Sequence, residues 1–235
     1  MNNAIRTLTI RFENEIQQYE VPLFRGCILS AMKGEADVLF HNHDGDKLRY
    51  SYPLVQYKRV GKKACIVCVQ EGADVIGQLF TTQEFHIQLG KRDMDLQIEA
   101  LIPRKTIVQV WDSVFHYNLR RWLPLNTVNY QRFQAIDDEN LKIIFLENIL
   151  KGNLLSMLKG LGIHIESELV LRITQLSNPY YLYNKGVGLM AFNADFVCNL
   201  SIPNYVGIGK NASIGYGIVY HQNNRDKDKQ TSISE

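Results

Sequence analysis

Cysteine is scarce in this chain. Its 235 residues hold four, Cys27, Cys65, Cys68 and Cys198, too few to staple a small secreted scaffold. No run of eighteen apolar residues occurs, so no transmembrane helix and no membrane partner are expected. Met1 to Phe12 lacks an apolar segment of the signal-peptide kind, and a cytoplasmic protein is expected. Charge of one sign is missing too. Lys and Arg number 26 against 24 Asp and Glu, for a net +2, which by itself demands no polyanionic partner. What is present is ordinary for a globular protein: 46% hydrophobic and 21% charged residues, which excludes a disordered or collagen-like chain. The length suits one large domain or two small ones, with enough chain to bury a core.

The distribution of charge says more than its sum. Lys47 to Lys63 carries six Lys/Arg and no Asp/Glu, and Leu101 to Gln134 carries five Lys/Arg against one Asp. Such clusters suit a phosphate backbone, and equally the solvated faces of ordinary strands. Cys65 and Cys68 have C-x-x-C spacing, but they fall in a segment that reads as a strand. Residues three apart on a strand face opposite ways, and a second ligand pair is missing. They read as small buried hydrophobes, with no metal site.

A pass along the chain predicts α+β architecture. Thr7 to Phe12 alternates as a strand, and a helix follows near Leu23 to Met32. Leu48 to Val60 and Ala64 to Val69 read as a hairpin, then Ala73 to Phe80 as a short helix. Phe85 to Leu89 and Leu96 to Ile102 read as a further strand pair. The order β-α-β-β-α-β is that of a ferredoxin-like unit, a four-stranded antiparallel sheet with two helices on one face. Pro103 punctuates the chain, and Thr106 to Leu119 opens a second unit. Asp137 and Asp138 mark the start of a helix to about Leu158, with Leu141, Ile144, Phe145 and Ile149 as its buried stripe. Ile163 to Leu176 and Gly186 to Leu200 read as a long hairpin, and Ile214 to His221 as a last strand. The expected domains are 1–103, 104–221 and a disordered tail over 222–235.

Two segments carry the chemistry. The first runs Ile202-Pro203-Asn204-Tyr205-Val206-Gly207-Ile208-Gly209-Lys210-Asn211-Ala212-Ser213-Ile214-Gly215-Tyr216-Gly217-Ile218-Val219. Four glycines in a G-x-G-x5-G-x-G pattern let a ligand approach the backbone and expose amides as phosphate donors. It is no P-loop, since no G-K-[ST] follows. It is no dinucleotide fingerprint, since it precedes the final strand. The second segment holds His41 and His43, two apart beside the Asp44-Gly45 turn. If extended, both imidazoles share a face. RNA is cut without metal when its own 2′-OH attacks the adjacent phosphate, with a base, an acid and a cation at hand. Histidine suits both proton roles. Lys47, Lys58 and Tyr52 are the nearby candidates for phosphate stabilisation or positioning. The alternative is a surface histidine pair. His86 and His164 read as structural, and His221 sits at the edge of the tail. His116 lies in the basic and aromatic run Trp111 to Trp122 with Arg120 and Arg121, which suits phosphates and stacked bases or a plain strand.

The glycine-rich loop before a last strand resembles the repeat-associated RNA-binding proteins of CRISPR systems. Three features resemble one branch of that superfamily, the guide-RNA-maturing endoribonucleases of the Cas-six family. They are the glycine loop, Gly152-Asn153-Leu154-Leu155 in the long helix, and Phe40 to Lys58 with its histidines, turn and strand. The resemblance covers most of the chain. It implies tandem ferredoxin-like units, CRISPR repeat RNA as partner, and no cofactor. It implies cleavage leaving 5′-hydroxyl and 2′,3′-cyclic phosphate ends. His43 is ranked before His41 because it directly precedes the turn. Lys210 and the amides around Gly207, Gly209, Gly215 and Gly217 would grip the RNA backbone. Lys58, Arg59, Lys62 and Lys63 on the hairpin, and Arg120 and Arg121, would hold the repeat. Other Cas proteins and a second copy of the chain are further expected partners. A non-catalytic RNA-binding subunit of an effector complex stays open, as does a ferredoxin-like domain that binds small molecules or proteins.

Overall fold

The structure is a computed structural model and describes residues 3–31, 43–44, 47–48, 52–77, 86–184 and 186–222. The chain divides into two compact units. One is Met1–Ile107 with Ser213–Gly215, the other Val108–Ala212 with Tyr216–Glu235. The division falls after Ile107, four residues beyond the expected break at Pro103. The reason lies in the last strand of the first unit, which runs straight through that proline.

The first unit begins with β1 (Ala4–Glu15), followed by α1 (Val21–Ala31). The two-residue strands β2 (His43–Asp44) and β3 (Lys47–Leu48) pair with each other. Then come β4 (Val55–Val60), β5 (Lys63–Val69) and α2 (Glu71–Ile76). Next are β6 (His86–Leu89), β7 (Arg92–Asp95) and β8 (Ile98–Ile107). The main sheet has the order β4-β5-β1-β8, the ferredoxin-like permutation that the element order predicts. Gly61 and Lys62, both at positive φ (55° and 69°), turn β4 into β5. That is the backbone a two-residue type I′ hairpin turn requires. Pro103 pairs opposite Leu8 on β8, an edge strand. A proline is tolerated there because its missing N–H faces no partner strand. The expected pairing of Phe85–Leu89 with the following strand is corrected. β6 pairs with β7 as its own hairpin, while β8 pairs with β1.

The core of this unit lies between sheet and α1. Ile10, Phe12, Tyr57, Ile66 and Cys68 face Phe24 and Ile28. Phe24 meets Phe12 and Tyr57 edge-on, at centroid distances of 5.8 and 6.0 Å, the geometry aromatic quadrupoles favour. The opposite sheet face is buried as well: Thr9, Gln56, Lys58, Cys65 and Val67 are all below a tenth exposed. Cys65 and Cys68 therefore sit on opposite faces of β5, each buried and unbridged.

The second unit starts with β9 (Val110–Trp122), followed by α3 (Thr127–Gln134) and α4 (Glu139–Gly160). Then come β10 (Leu171–Leu176), β11 (Tyr180–Asn184), β12 (Val187–Leu200) and β13 (Ile218–His221). The sheet order is β10-β12-β9-β13, with β11 extending β12 as a hairpin. This is the same permutation as in the first unit. The long connection from β12 to β13, where a second helix would stand, is the glycine-rich loop with one turn of 3-10 helix at Ala212–Ile214. α3 has no counterpart among the helices expected from the sequence. Asn126 is in fact its N-cap, accepting from the Asn129 amide at 2.8 Å.

Asp138 caps α4 as expected, accepting from the amides of Asn140 and Leu141. The expected buried stripe is corrected. Leu141 and Ile144 are 56% and 45% exposed, and the buried line is Leu146, Leu150, Leu154, Met157 and Leu158. The helix is apolar around most of its circumference, so periodicity alone does not choose its inner face. Buried Glu147 turns inward with it, bonded to Arg172 and to the Ile173 amide. Most of the expected tail lies outside the described residues.

Candidate functional site

The histidine segment belongs to the first unit. His41 lies outside the described residues. His43 stands on β2, opposite Leu48 in register, and its neighbour Asp44 stands opposite Lys47. The backbones of the leading imidazole candidate and of Lys47 are thus held one step apart in one small hairpin. Tyr52 follows, and burial pushes its phenol up while a hydrogen bond with Gln56 pulls it back. The group stays protonated at neutral pH and is a donor.

The basic hairpin β4–β5 separates into different environments. Lys58 is fully buried. Loss of water drives its amine from 10.5 down to about 7, with a smaller opposing pull from Cys65. An amine so withdrawn does not meet RNA on the surface. Arg59 donates Nε to the Ile16 carbonyl at 2.6 Å, and Lys63 pairs with Glu99 at 3.1 Å. Lys62, at the turn, is exposed.

In the second unit the glycine-rich loop folds back along β13. The Ile208 amide donates to the Gly217 carbonyl at 2.9 Å, and the Gly217 amide to the Arg121 carbonyl at 3.1 Å. Gly207, Gly215 and Gly217 are buried, while Gly209 and Lys210 are exposed. At Gly217 (φ 60°) a Cβ would strike the Ile208 carbonyl. At Gly209 (φ 78°) it would lie 2.7 Å from Asn153 Oδ1. Most of these glycines therefore serve close packing, and the exposed edge of the loop is Gly209-Lys210.

Arg121 joins this loop. It holds positive φ (56°), and its amide donates to Asn193 Oδ1 at 2.9 Å. Its guanidinium lies over the Tyr216 ring, 5.0 Å from the centroid. Its Nε is buried without a hydrogen-bond partner among the described residues. A non-glycine residue in this conformation is strained and is held only by its surroundings. Arg120 differs. Both its terminal nitrogens reach Asp195 Oδ1 at 3.0 Å, so its charge is offset. Arg120 and Asp195 line a cleft of about 380 Å³ with Gln175, Leu176, Ser177 and Asn193. The sequence reading missed Asn193 and Asp195. Their signal is two polar residues spaced by two inside the apolar strand β12. Among the other histidines, His86 pairs with Asp95 at 2.7 Å, His221 bonds the Ile202 carbonyl at 2.7 Å, and His116 is exposed.

These two units, each in the β4-β5-β1-β8 or equivalent order and with the glycine-rich loop before the last strand, match two family descriptions. The Cas6b N-terminal domain matches residues 3–107, and the Cas6b C-terminal domain residues 109–222. The chain belongs to the Cas6b family. It is thus a Cas6-type CRISPR RNA processing protein, as the resemblance implied. A crystal structure of a Cas6b superposes with a TM-score of 0.84 at 26% identity, over 93% of this chain and 99% of that one. A second, of a CRISPR RNA processing endoribonuclease Cas6b, gives 0.71 at 23% identity, over 93% and 99%. At that identity the likeness is one of fold. An uncharacterised protein of Methanocaldococcus jannaschii is 38% identical over 98 residues, 42% of this chain and 65% of that protein. The match therefore spans a little under two thirds of that relative's length. No helix among the described residues of this Cas6b-family chain is long and apolar enough to cross a membrane.

Proposed function

We propose that this chain is a metal-independent endoribonuclease that binds CRISPR repeat RNA and cuts the precursor transcript within each repeat. The observation that supports the reading is the match of both units to Cas6b domains, over residues 3–107 and 109–222. In the first of these units His43 stands on a two-strand hairpin, paired in register with Leu48.

The reaction needs no imported reagent. One imidazole takes the proton of the 2′-OH, and the 2′-oxygen bonds to the adjacent phosphorus. The bond from phosphorus to the 5′-oxygen breaks, and that oxygen takes a proton from the second imidazole. The ends are a 2′,3′-cyclic phosphate and a 5′-hydroxyl. Lys47 offsets the charge on the five-coordinate phosphorus. His43 and His41 are assigned the proton transfers, Tyr52 a positioning hydrogen bond, and Lys58 a positioning role from beneath the surface. Lys62, Arg121 and the Gly209-Lys210 edge are assigned the phosphate backbone, for they carry the cations least engaged by carboxylates. Arg59 and Lys63 support the hairpin behind them. The same reading places the protein in the cytoplasm, with other Cas proteins and a second copy of the chain as further partners.

The test is a gel of the purified chain with repeat RNA in EDTA. Cleavage is expected, and a 2′-deoxy nucleotide at the cut should block it. A His41→Ala/His43→Ala double variant should lose cleavage and keep affinity. Cutting of the deoxy substrate, or strict metal dependence, rejects the mechanism. Binding without cleavage by the unaltered chain would make it a non-catalytic RNA-binding subunit.

A further inference from the structure

The cleft in the second unit has a construction that the phosphate contacts do not explain. It lies on the sheet face turned away from Phe192, Ala194 and Phe196, which are buried on the side where Phe192 meets Phe133 of α3. Asn193 and Asp195 alternate with those residues and project from the other face. Gln175 stands opposite Asp195 in register on β10. The strand pairing shifts twice beside it, between Ile173 and Gln175 and between Phe192 and Ala194. Bulges re-aim side chains and gather next to binding sites.

The polar atoms are held in place, with selected valences left over. Asp195 Oδ1 accepts from both Arg120 nitrogens and from Asn118 Nδ2 at 2.8 Å. Among the described residues no donor reaches its Oδ2. Asn193 Oδ1 accepts from the Arg121 amide and, at 3.1 Å, from the Tyr180 hydroxyl. This fixes the amide orientation, and among the described residues Nδ2 has no acceptor. Ser177 Oγ is spent on the Asn193 amide and the Asn178 carbonyl. Strand β12 thus offers the cleft one acceptor and one donor, two residues apart, and Gln175 stands opposite Asp195 on β10. The guanidinium plane of Arg120 and the side chain of Leu176 also line the cleft. The Arg120–Asp195 pair is neutral in sum, so the cleft does not favour a phosphate.

We infer that this cleft reads the Watson–Crick edge of an unpaired RNA base whose exocyclic amine stands beside an acceptor ring nitrogen on that edge, that is, cytosine or adenine. The inference rests on the RNA-binding reading above. The amine donates to Asp195 Oδ2, and the ring nitrogen accepts from Asn193 Nδ2. The base plane stacks on Arg120, as single-stranded RNA bases do on guanidinium groups. Guanine and uracil carry a ring N–H at the corresponding position and would confront Asn193 with a second donor.

The experiment measures binding of the full chain to fluorescent 12-nucleotide oligo(C), oligo(A) and oligo(U) RNA at one fixed salt concentration. Oligo(C) and oligo(A) should bind roughly tenfold tighter than oligo(U). Asn193→Asp keeps Oδ1 for Arg121 and Tyr180 but turns the free donor into an acceptor. It should abolish or invert the preference. Gln175→Ala, on an exposed residue, removes the cleft wall that stands beside Asp195 and would hold the base amine against Oδ2, and should weaken oligo(C) and oligo(A) about threefold relative to oligo(U). It decides the matter if the first variant does not fold. Equal, salt-dependent binding of all three probes overturns the base-reading cleft and leaves the RNA reading standing. Binding of none overturns both.

Discussion

Asn153 ties Trp122 to the glycine-rich loop. Its Oδ1 accepts the indole N–H of Trp122 at 2.9 Å, and the same oxygen lies where Gly209 leaves room for it. The long helix, the end of β9 and the loop meet at one carbonyl oxygen. Asn153→Leu would leave the N–H of fully buried Trp122 without its acceptor. A cost of about 1–3 kcal/mol is expected, a fall of several degrees in Tm at this size. Gly209→Ala should cost as much, by crowding the same oxygen and straining a positive φ. Because both act on one junction, the double variant should cost less than the sum of the two. Calorimetry on the three variants checks this, and strict additivity would separate the residues.

Lys58 couples stability to pH. Its folded value is about 7 against 10.5 in water, a depressed base. Below pH 7 both folded and unfolded chains hold the proton, and the full penalty for burying the charge is present. Between pH 7 and 10.5 the unfolded chain binds more protons, so stability rises with pH across that window. Cys65, its neighbour across the strands, is itself pushed up to about 12 by burial and supplies no counter-charge at neutral pH. Lys58→Met should therefore flatten the rise of Tm between pH 7 and pH 10. The same variant should slow RNA cleavage if the amine positions the reacting groups. Parallel melting curves for the two proteins across that range would remove Lys58 from the pH dependence, and an unchanged cleavage rate would remove it from the site.

Arg121 offers a separation of binding from stability. Arg121→Gly removes the guanidinium and relaxes a backbone at φ 56°. Stability should change little, because the amide bond to Asn193 and the carbonyl bond from Gly217 belong to the main chain. RNA affinity should fall, and the slope of log affinity against log salt should flatten by about one. An unchanged slope would mean that Arg121 only packs on Tyr216.

Arg92 fastens the β6–β7 hairpin to the first unit. Both oxygens of Glu20 accept from its Nη2, at 2.8 and 2.9 Å, and the Gln17 amide donates to the same carboxylate. Glu20 is 6% exposed, so a lone carboxylate there is costly. Arg92→Ala should lose about 1.5–3 kcal/mol, while the double variant with Glu20→Gln should recover part of it. A thermal melt of each decides.

The legible features were local. The alternation of Leu8, Ile10 and Phe12, the cap at Asp138 and the order of elements depend on neighbours within a few residues, and they led to the ferredoxin-like order. Pro103 misled because a proline stops a central strand but not an edge strand, and edge position is set by distant pairing. The inner face of α4 misled because an apolar helix has several faces to choose from. Asn126 reads equally well as a breaker or as a cap.

The site divides in the same way. Residue types and their spacing sufficed to single out the histidine pair, the basic hairpin and the glycine pattern, for chemistry and backbone freedom are properties of single residues. Which cations stay available was decided by the tertiary structure. It buried Lys58, spent Arg120 on Asp195 and Lys63 on Glu99, and buried three of the four loop glycines. Burial and partnership are relations between residues far apart in the chain. Only the folded sheet brings Gln175, Asn193 and Arg120 to one face, so the linear order shows no more of their cleft than the polar pair Asn193 and Asp195 within an apolar strand.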